Sequence, residues 1–198
     1  MNFRQWICTI AIGMSLTMSI AAPVPVIAGE GDLSSEQRAR LLDTAQINCG
    51  TDGKDDCVTG NVESGDFYDV DIHGDCVSNP YFGRIDDKPA SLRRTVATTG
   101  SRTQNEFTST PNQLVCIRAT ARSGPVHISE YYVMALPMDH GPECPGETLC
   151  RKPDPATQTD RMLKCRLSDS GADYINCPQG WVFADEIEPY PMGLLGNR

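Results

Sequence analysis

The chain has 198 residues, with 17 Lys+Arg against 26 Asp+Glu and a net charge of −9. That acidity repels phosphate backbones and argues against nucleic acid as a partner. Aromatic residues make up only 7% and are outnumbered by 17 glycines and 14 prolines, so a modest core reinforced by cross-links is expected.

Arg4 is the only charged side chain ahead of Glu30, and an apolar stretch runs from Ile7 to Ala22. The stretch is shorter than the about 20 residues of a membrane span, and Pro23 and Pro25 interrupt its end. Val26-Ile27-Ala28 ahead of Gly29 supplies the small residues a signal peptidase reads. Residues 1–28 are therefore expected to be a cleavable signal peptide, with the mature chain exported to a periplasm or the extracellular space. An uncleaved N-terminal anchor is the alternative. No later segment is apolar enough to span a membrane.

Of the nine cysteines, Cys8 falls within the signal segment and eight remain. An even number in an exported chain reads as a disulfide framework. Zinc is the rival reading, but there is no Cys-x-x-Cys and the three histidines lie far from any ligand spacing. Short loops predict Cys49–Cys57 and Cys144–Cys150. A hairpin centred on Gly171 sets Leu167 opposite Ile175 and Cys165 opposite Cys177, near disulfide range. Cys76–Cys116 remains to tie the two halves of the chain together.

Ser34 and Gln37 have capping-box spacing, and Ala39, Leu41, Leu42, Ala45 and Ile47 follow at helical spacing. A helix is expected from Ser35 to Asn48, stopped by Gly50. Residues 49–66 read as loop. Phe67 to Ile72 alternates as a strand, with Tyr81 to Ile85 as its partner. Residues 86–113 are polar and resemble a linker, with one strand near Arg94–Thr98. Leu114–Ala121 and Val126–Leu136 read as strands about a Ser123-Gly124-Pro125 turn. Residues 137–160 hold five prolines and two cysteines and read as a stapled loop. Met162–Leu167, Tyr174–Cys177 and Trp181–Ala184 are the remaining strands, and residues 189–198 read as a mobile tail.

Ala119-Thr120-Ala121-Arg122-Ser123-Gly124-Pro125, then Val133, Leu136 and Pro137, then Leu163 to Gly171, then Gly180-Trp181-Val182-Phe183-Ala184, follow one another in a familiar order. The stretch from Val115 to Glu188 resembles a bacterial SH3-like (SH3b) domain. The Cys144–Cys150 insert is long for that family, and extra residues lie between Gly171 and Gly180. The resemblance implies a small β-barrel whose Tyr131, Tyr132, Tyr174 and Trp181 line a groove for cell-wall peptides or proline-containing ligands. Core packing is the alternative role for these four.

Catalytic layouts are absent from the sequence: there is no Gly-x-Ser-x-Gly, His-Glu-x-x-His, Ser-x-x-Lys or phosphate loop. His73, His127 and His140 carry no supporting signature for a general base. Asp69, Asp71 and Asp75 with Gly74 echo a calcium loop, yet position 12 is Pro80 where a bidentate Glu is required. Eight acids crowd residues 49–75 and seven Lys+Arg crowd residues 84–122, so Arg93, Arg94 and Arg102 are candidates to engage an anionic polymer.

The expectation is thus a mainly β protein with an N-terminal helix and disulfide-bonded loops over 29–110 and a small SH3-like barrel or sandwich over 111–188. Its expected role is a non-catalytic envelope module without a cofactor, binding a peptide, cell-wall fragment or protein partner. The alternative is a secreted inhibitor or effector acting through the 141–155 loop, and a hydrolase with an unsignalled site is a third reading.

Overall fold

A computed structural model describes residues 33–50, 56–99, 104–137 and 160–190. The expected signal segment, the expected Cys144–Cys150 pair, the 141–155 loop, His140 and Arg102 lie outside them.

Helix α1 (Ser35–Ala45) opens with the expected capping box: the Ser34 hydroxyl accepts the Gln37 N–H, and the Gln37 side-chain carbonyl accepts the Ser34 N–H at 2.9 Å. The helix ends earlier than expected. Gln46 takes a left-handed φ of 53°, and Ile47–Cys49 leaves as strand β1. The reason is non-local: β1 pairs antiparallel with β2 (Cys57–Asn61), within the stretch whose composition predicts loop.

Strand β3 (Asp66–Ile72) continues this meander, followed by β4 (Phe82–Ile85), β5 (Ser91–Arg93) and β6 (Asn105–Thr108). The strand expected at Arg94–Thr98 is replaced by the β5–β6 pair on either side of it. The long strands β7 (Leu114–Ser123) and β8 (His127–Ala135) form a hairpin over Gly124, whose φ is 76°. Two short strands, β9 (Arg166–Leu167) and β10 (Tyr174–Ile175), pair separately. Met162–Lys164, expected as strand, is a 3₁₀ turn. β11 (Gln179–Phe183) and β12 (Ile187–Tyr190) are the last described strands, so Pro189 and Tyr190, expected in a mobile tail, are paired in a strand.

The main sheet runs β1-β2-β3-β7-β8-β11-β5-β6, every pairing antiparallel. β7 branches it. Its residues 119–122 pair with β3, while 114–116 pair with β4, which in turn carries β12. The partner of β4 is therefore β7 and β12, not β3. A boundary at residue 110 does not divide this sheet, because β3 and β4 lie on β7 and β5 lies on β11. The described strands do not close into a barrel.

Both faces of the β7–β8 hairpin are buried. Val115, Ile117, Tyr131, Val133 and Ala135 point to one core, shared with Ile85, Leu92 and Val182. Ala119, Ala121 and Tyr132 point to the other, where Leu41 and Ala45 of α1 and Trp181 pack. Leu114, Cys116, Met134 and Leu136 extend that side beneath Tyr174. The near-continuous apolar runs of β7 and β8 are what strands covered on both faces require.

Disulfides join Cys49 to Cys57, Cys76 to Cys116 and Cys165 to Cys177. The register behind the third pair differs from expectation. Leu167 opposes Tyr174 and Arg166 opposes Ile175, one residue off the predicted alignment. Asn176, at a left-handed φ of 59°, follows the paired segment and precedes Cys177. One extra residue in that conformation, which asparagine tolerates, restores Cys177 to the reach of Cys165.

Candidate functional site

Between α1 and the β9–β10 hairpin lies a cleft of about 220 Å³. Gln37, Arg40, Leu41 and Thr44 supply one wall. Their spacing of three and four puts them on a single helix face. The opposite wall is the chain from Asp173 to Cys177, held by the Cys165–Cys177 bond. Gln37 also spans the two walls, donating its side-chain N–H to the Ala172 carbonyl at 3.4 Å.

Arg118 and Met134 form the inner surface. Arg118 is the unusual residue. It sits in mid-strand among Ile117, Ala119 and Ala121, and is 4% exposed. A bulge accounts for its placement: Ile117 pairs with Val133 and Ala119 with Tyr132, leaving Arg118 as the extra residue. Arg118 then lines the cleft on the α1 side of the sheet while Ile117 stays in the opposite core. Bulges re-aim side chains in this way.

The electrostatics of the described arginines set Arg118 apart. Arg93, Arg118 and Arg122 each bury an Nε without a hydrogen-bond partner among the described residues. Arg93 nevertheless pairs with Glu130 and Arg122 with Asp71, both at 2.8 Å. Arg118 forms no ion pair among the described residues. Burial pulls its pKa below the ordinary value, and Asp173 and Asp75 oppose the shift only through space. Arg40, another cation, adds to the shift. Arg40 is itself held by Glu36 at 2.9 Å, one turn back on the exposed helix face. A guanidinium stays charged under such shifts, so the cleft presents a buried cation with no ion pair among the described residues.

The four aromatic residues implied by the resemblance do not share a groove. Trp181 and Tyr132 are cross-strand partners with ring centroids 5.3 Å apart, and both are buried. Tyr131 packs in the opposite core, where burial raises its hydroxyl pKa to about 12. Tyr174 alone of the four lines the cleft. Tyr132 lines a neighbouring hollow of about 200 Å³, which shares Thr44 and Gln179 with the cleft.

Asp69, Asp71 and Asp75 are not gathered either. Asp71 takes Arg122, and Asp75 accepts the N–H groups of Val77 and Ser78 in a local turn. Among the described residues no three His, Cys, Asp or Glu come together as metal ligands. Arg93, expected to engage a polymer, is instead buried against Glu130 and stacked on Phe183 at 3.7 Å. Arg94 remains on the surface, 3.9 Å from Glu106.

His73 forms a separate polar cluster. Its Nε2 and the Thr120 hydroxyl are hydrogen bonded at 2.6 Å, and its ring meets Tyr81 edge-on at 5.0 Å. Sequence reasoning passed over Arg118. The signal available was a single arginine inside the apolar run Leu114–Ala121, where an outward-facing charge and a buried one look alike.

No helix among the described residues is long and apolar enough to cross a membrane. No protein-family model, curated protein or solved structure matches the chain.

Proposed function

We propose that this chain is an exported, disulfide-bonded, non-catalytic module of the cell envelope that binds a peptide, a cell-wall fragment or a protein partner. The observation that carries the reading is the cleft between α1 and the β9–β10 hairpin, whose inner surface includes Arg118, a buried arginine with no ion pair among the described residues. A buried cation without an ion pair costs stability unless something pairs with it, so its presence in the cleft favours a ligand. Three disulfides support an oxidising destination.

An SH3-like relation of residues 115–188 draws support from β7, β8 and β11 lying side by side, with Gly180-Trp181-Val182 in the third strand. The short β9–β10 pair stands apart from that sheet and is where the likeness is thinnest.

Co-sedimentation of the oxidised mature protein with purified cell-wall sacculi, at low and high salt, tests the function. Retention that survives salt is the expected result, and absence of retention at both salts would refute wall binding. Amino-terminal sequencing of the exported product should begin at Gly29; a product beginning at Met1 would refute cleavage.

A further inference from the structure

We propose that the cleft recognises a carboxylate, that of a peptide C-terminus, seated on the guanidinium of Arg118. The inference rests on the binding-module reading and adds the chemical class of the ligand.

Arg118 lines the cleft, is 4% exposed, and among the described residues has neither an ion pair nor a hydrogen bond at Nε. Its fork of donors matches the two oxygens of a carboxylate. Nearby charge selects the ligand's valence. Arg40 adds a second cation, but Asp173 lines the same cleft and Glu36 already holds Arg40. One negative charge satisfies Arg118, whereas a phosphate dianion would bring its second charge against Asp173. Asn176 and Gln179 line the cleft too, and their side-chain amides suit the last peptide unit of an extended chain. A volume of about 220 Å³ admits one or two residues, not a folded partner.

The site also explains the neighbouring architecture. The β7 bulge places Arg118 in the cleft, the Cys165–Cys177 bond fixes the far wall, and Gln37 ties that wall to α1. A site held from three sides spends little of its binding energy on ordering.

The experiment is a titration of the oxidised mature protein, labelled at arginine nitrogen, following the Arg118 Nε–H resonance. The probes are N-acetyl-alanyl-alanine, its C-terminal amide, N-acetyl-aspartate amide and inorganic phosphate. A saturable shift with the free acid and none with the amide is expected. Arg118→Lys keeps the charge but not the fork and should weaken the free acid at least about tenfold. Should that variant fail to fold, Asp173→Asn, which removes the opposing charge, should tighten binding instead.

An equal response to acid and amide, or none to either, overturns the proposal. A response to phosphate in preference to the acid overturns the carboxylate class, and one to the aspartate side chain alone overturns the C-terminal source. Failure here with sacculus retention intact would leave the binding module standing without this ligand. A free-acid response without sacculus retention would keep the carboxylate site and remove the wall as its setting.

Discussion

The indole N–H of Trp181 donates to the carbonyl of Ala45 at 2.9 Å, and neither residue has exposed surface. This bond docks the last turn of α1 on β11. A helix of 11 residues is too short to persist alone, so its stability comes from such packing.

Trp181→Phe keeps an aromatic ring but leaves that carbonyl without its donor, and should cost about 1–3 kcal/mol. The other tryptophan is Trp6, so under the proposed cleavage after Ala28 Trp181 is the only one that remains. Its fluorescence should therefore report α1 docking directly. A urea midpoint unchanged in the Phe variant would show that the bond carries no weight.

Gly180 lies where β5 passes closest to β11. A Cβ there would stand 2.7 Å from the Arg93 carbonyl and 2.9 Å from its nitrogen, both backbone atoms that a side chain cannot push aside cheaply. Gly180→Ala should lower stability by about 1–3 kcal/mol, while Gly124→Ala, with open space about it, should suffer only from its positive φ. Equal losses at the two sites would contradict the close approach.

Much of this arrangement was legible in the sequence, and the misses have a common cause. The Ser34–Gln37 cap and the β7 and β8 runs are local signals, and local signals fix where an element starts. Helix α1 stops at Ala45 because Ile47–Cys49 is claimed by Cys57–Thr59, a partner no helical periodicity reveals. β2 escaped notice because Thr59, Gly60 and Asn61 look like loop until β3 lies beside them. Arg118 escaped for the same reason: its burial depends on α1 covering a face of β7 that would otherwise meet water. Trp181 and the tyrosines were visible as large apolar payload, but whether they line a groove or fill a core is decided by which strands neighbour them.

The buried pair Arg93–Glu130 predicts a coupling. The side chains are 5% and 1% exposed, and Glu130 also accepts the Ala97 N–H at 2.8 Å. Removing the cation leaves the buried carboxylate alone, so Arg93→Met should cost about 3–5 kcal/mol, and Glu130→Gln should cost less, because burial already favours the neutral form of Glu130. The double variant should recover part of that loss. Strict additivity in the cycle would mean that the two charges do not depend on one another.

Disulfide removal should follow loop length. Cys76–Cys116 spans 40 residues and Cys49–Cys57 spans 8. Chain entropy then makes the former worth more by about 1.4 kcal/mol. Paired Cys→Ala variants at each site, compared by urea unfolding, should keep that order. The Cys165→Ala/Cys177→Ala variant should lose ligand binding as well, since those cysteines fix a wall of the cleft.

Half-buried His73 and buried Glu130 should tilt stability with pH in opposite senses. Burial holds His73 below the ordinary histidine value of 6.5, with Asp71 only partly countering. As pH falls through 6.5 the unfolded chain takes up the proton first, so stability present above that value is lost toward the lower folded pKa. Burial holds Glu130 above the ordinary 4.5, against the Ala97 N–H and Arg93. Here the folded state takes the proton first, so the contribution is greatest below 4.5 and is lost as pH rises through the folded pKa. His73→Gln should therefore flatten the loss of stability below pH 6.5, and Glu130→Gln should remove the opposing slope above pH 4.5. Urea midpoints of the three proteins between about pH 4 and 8 read both effects. A His73→Gln profile parallel to the wild type over that window would mean that His73 titrates alike in the folded and unfolded chains, and its burial against Thr120 and Tyr81 would then have no electrostatic consequence.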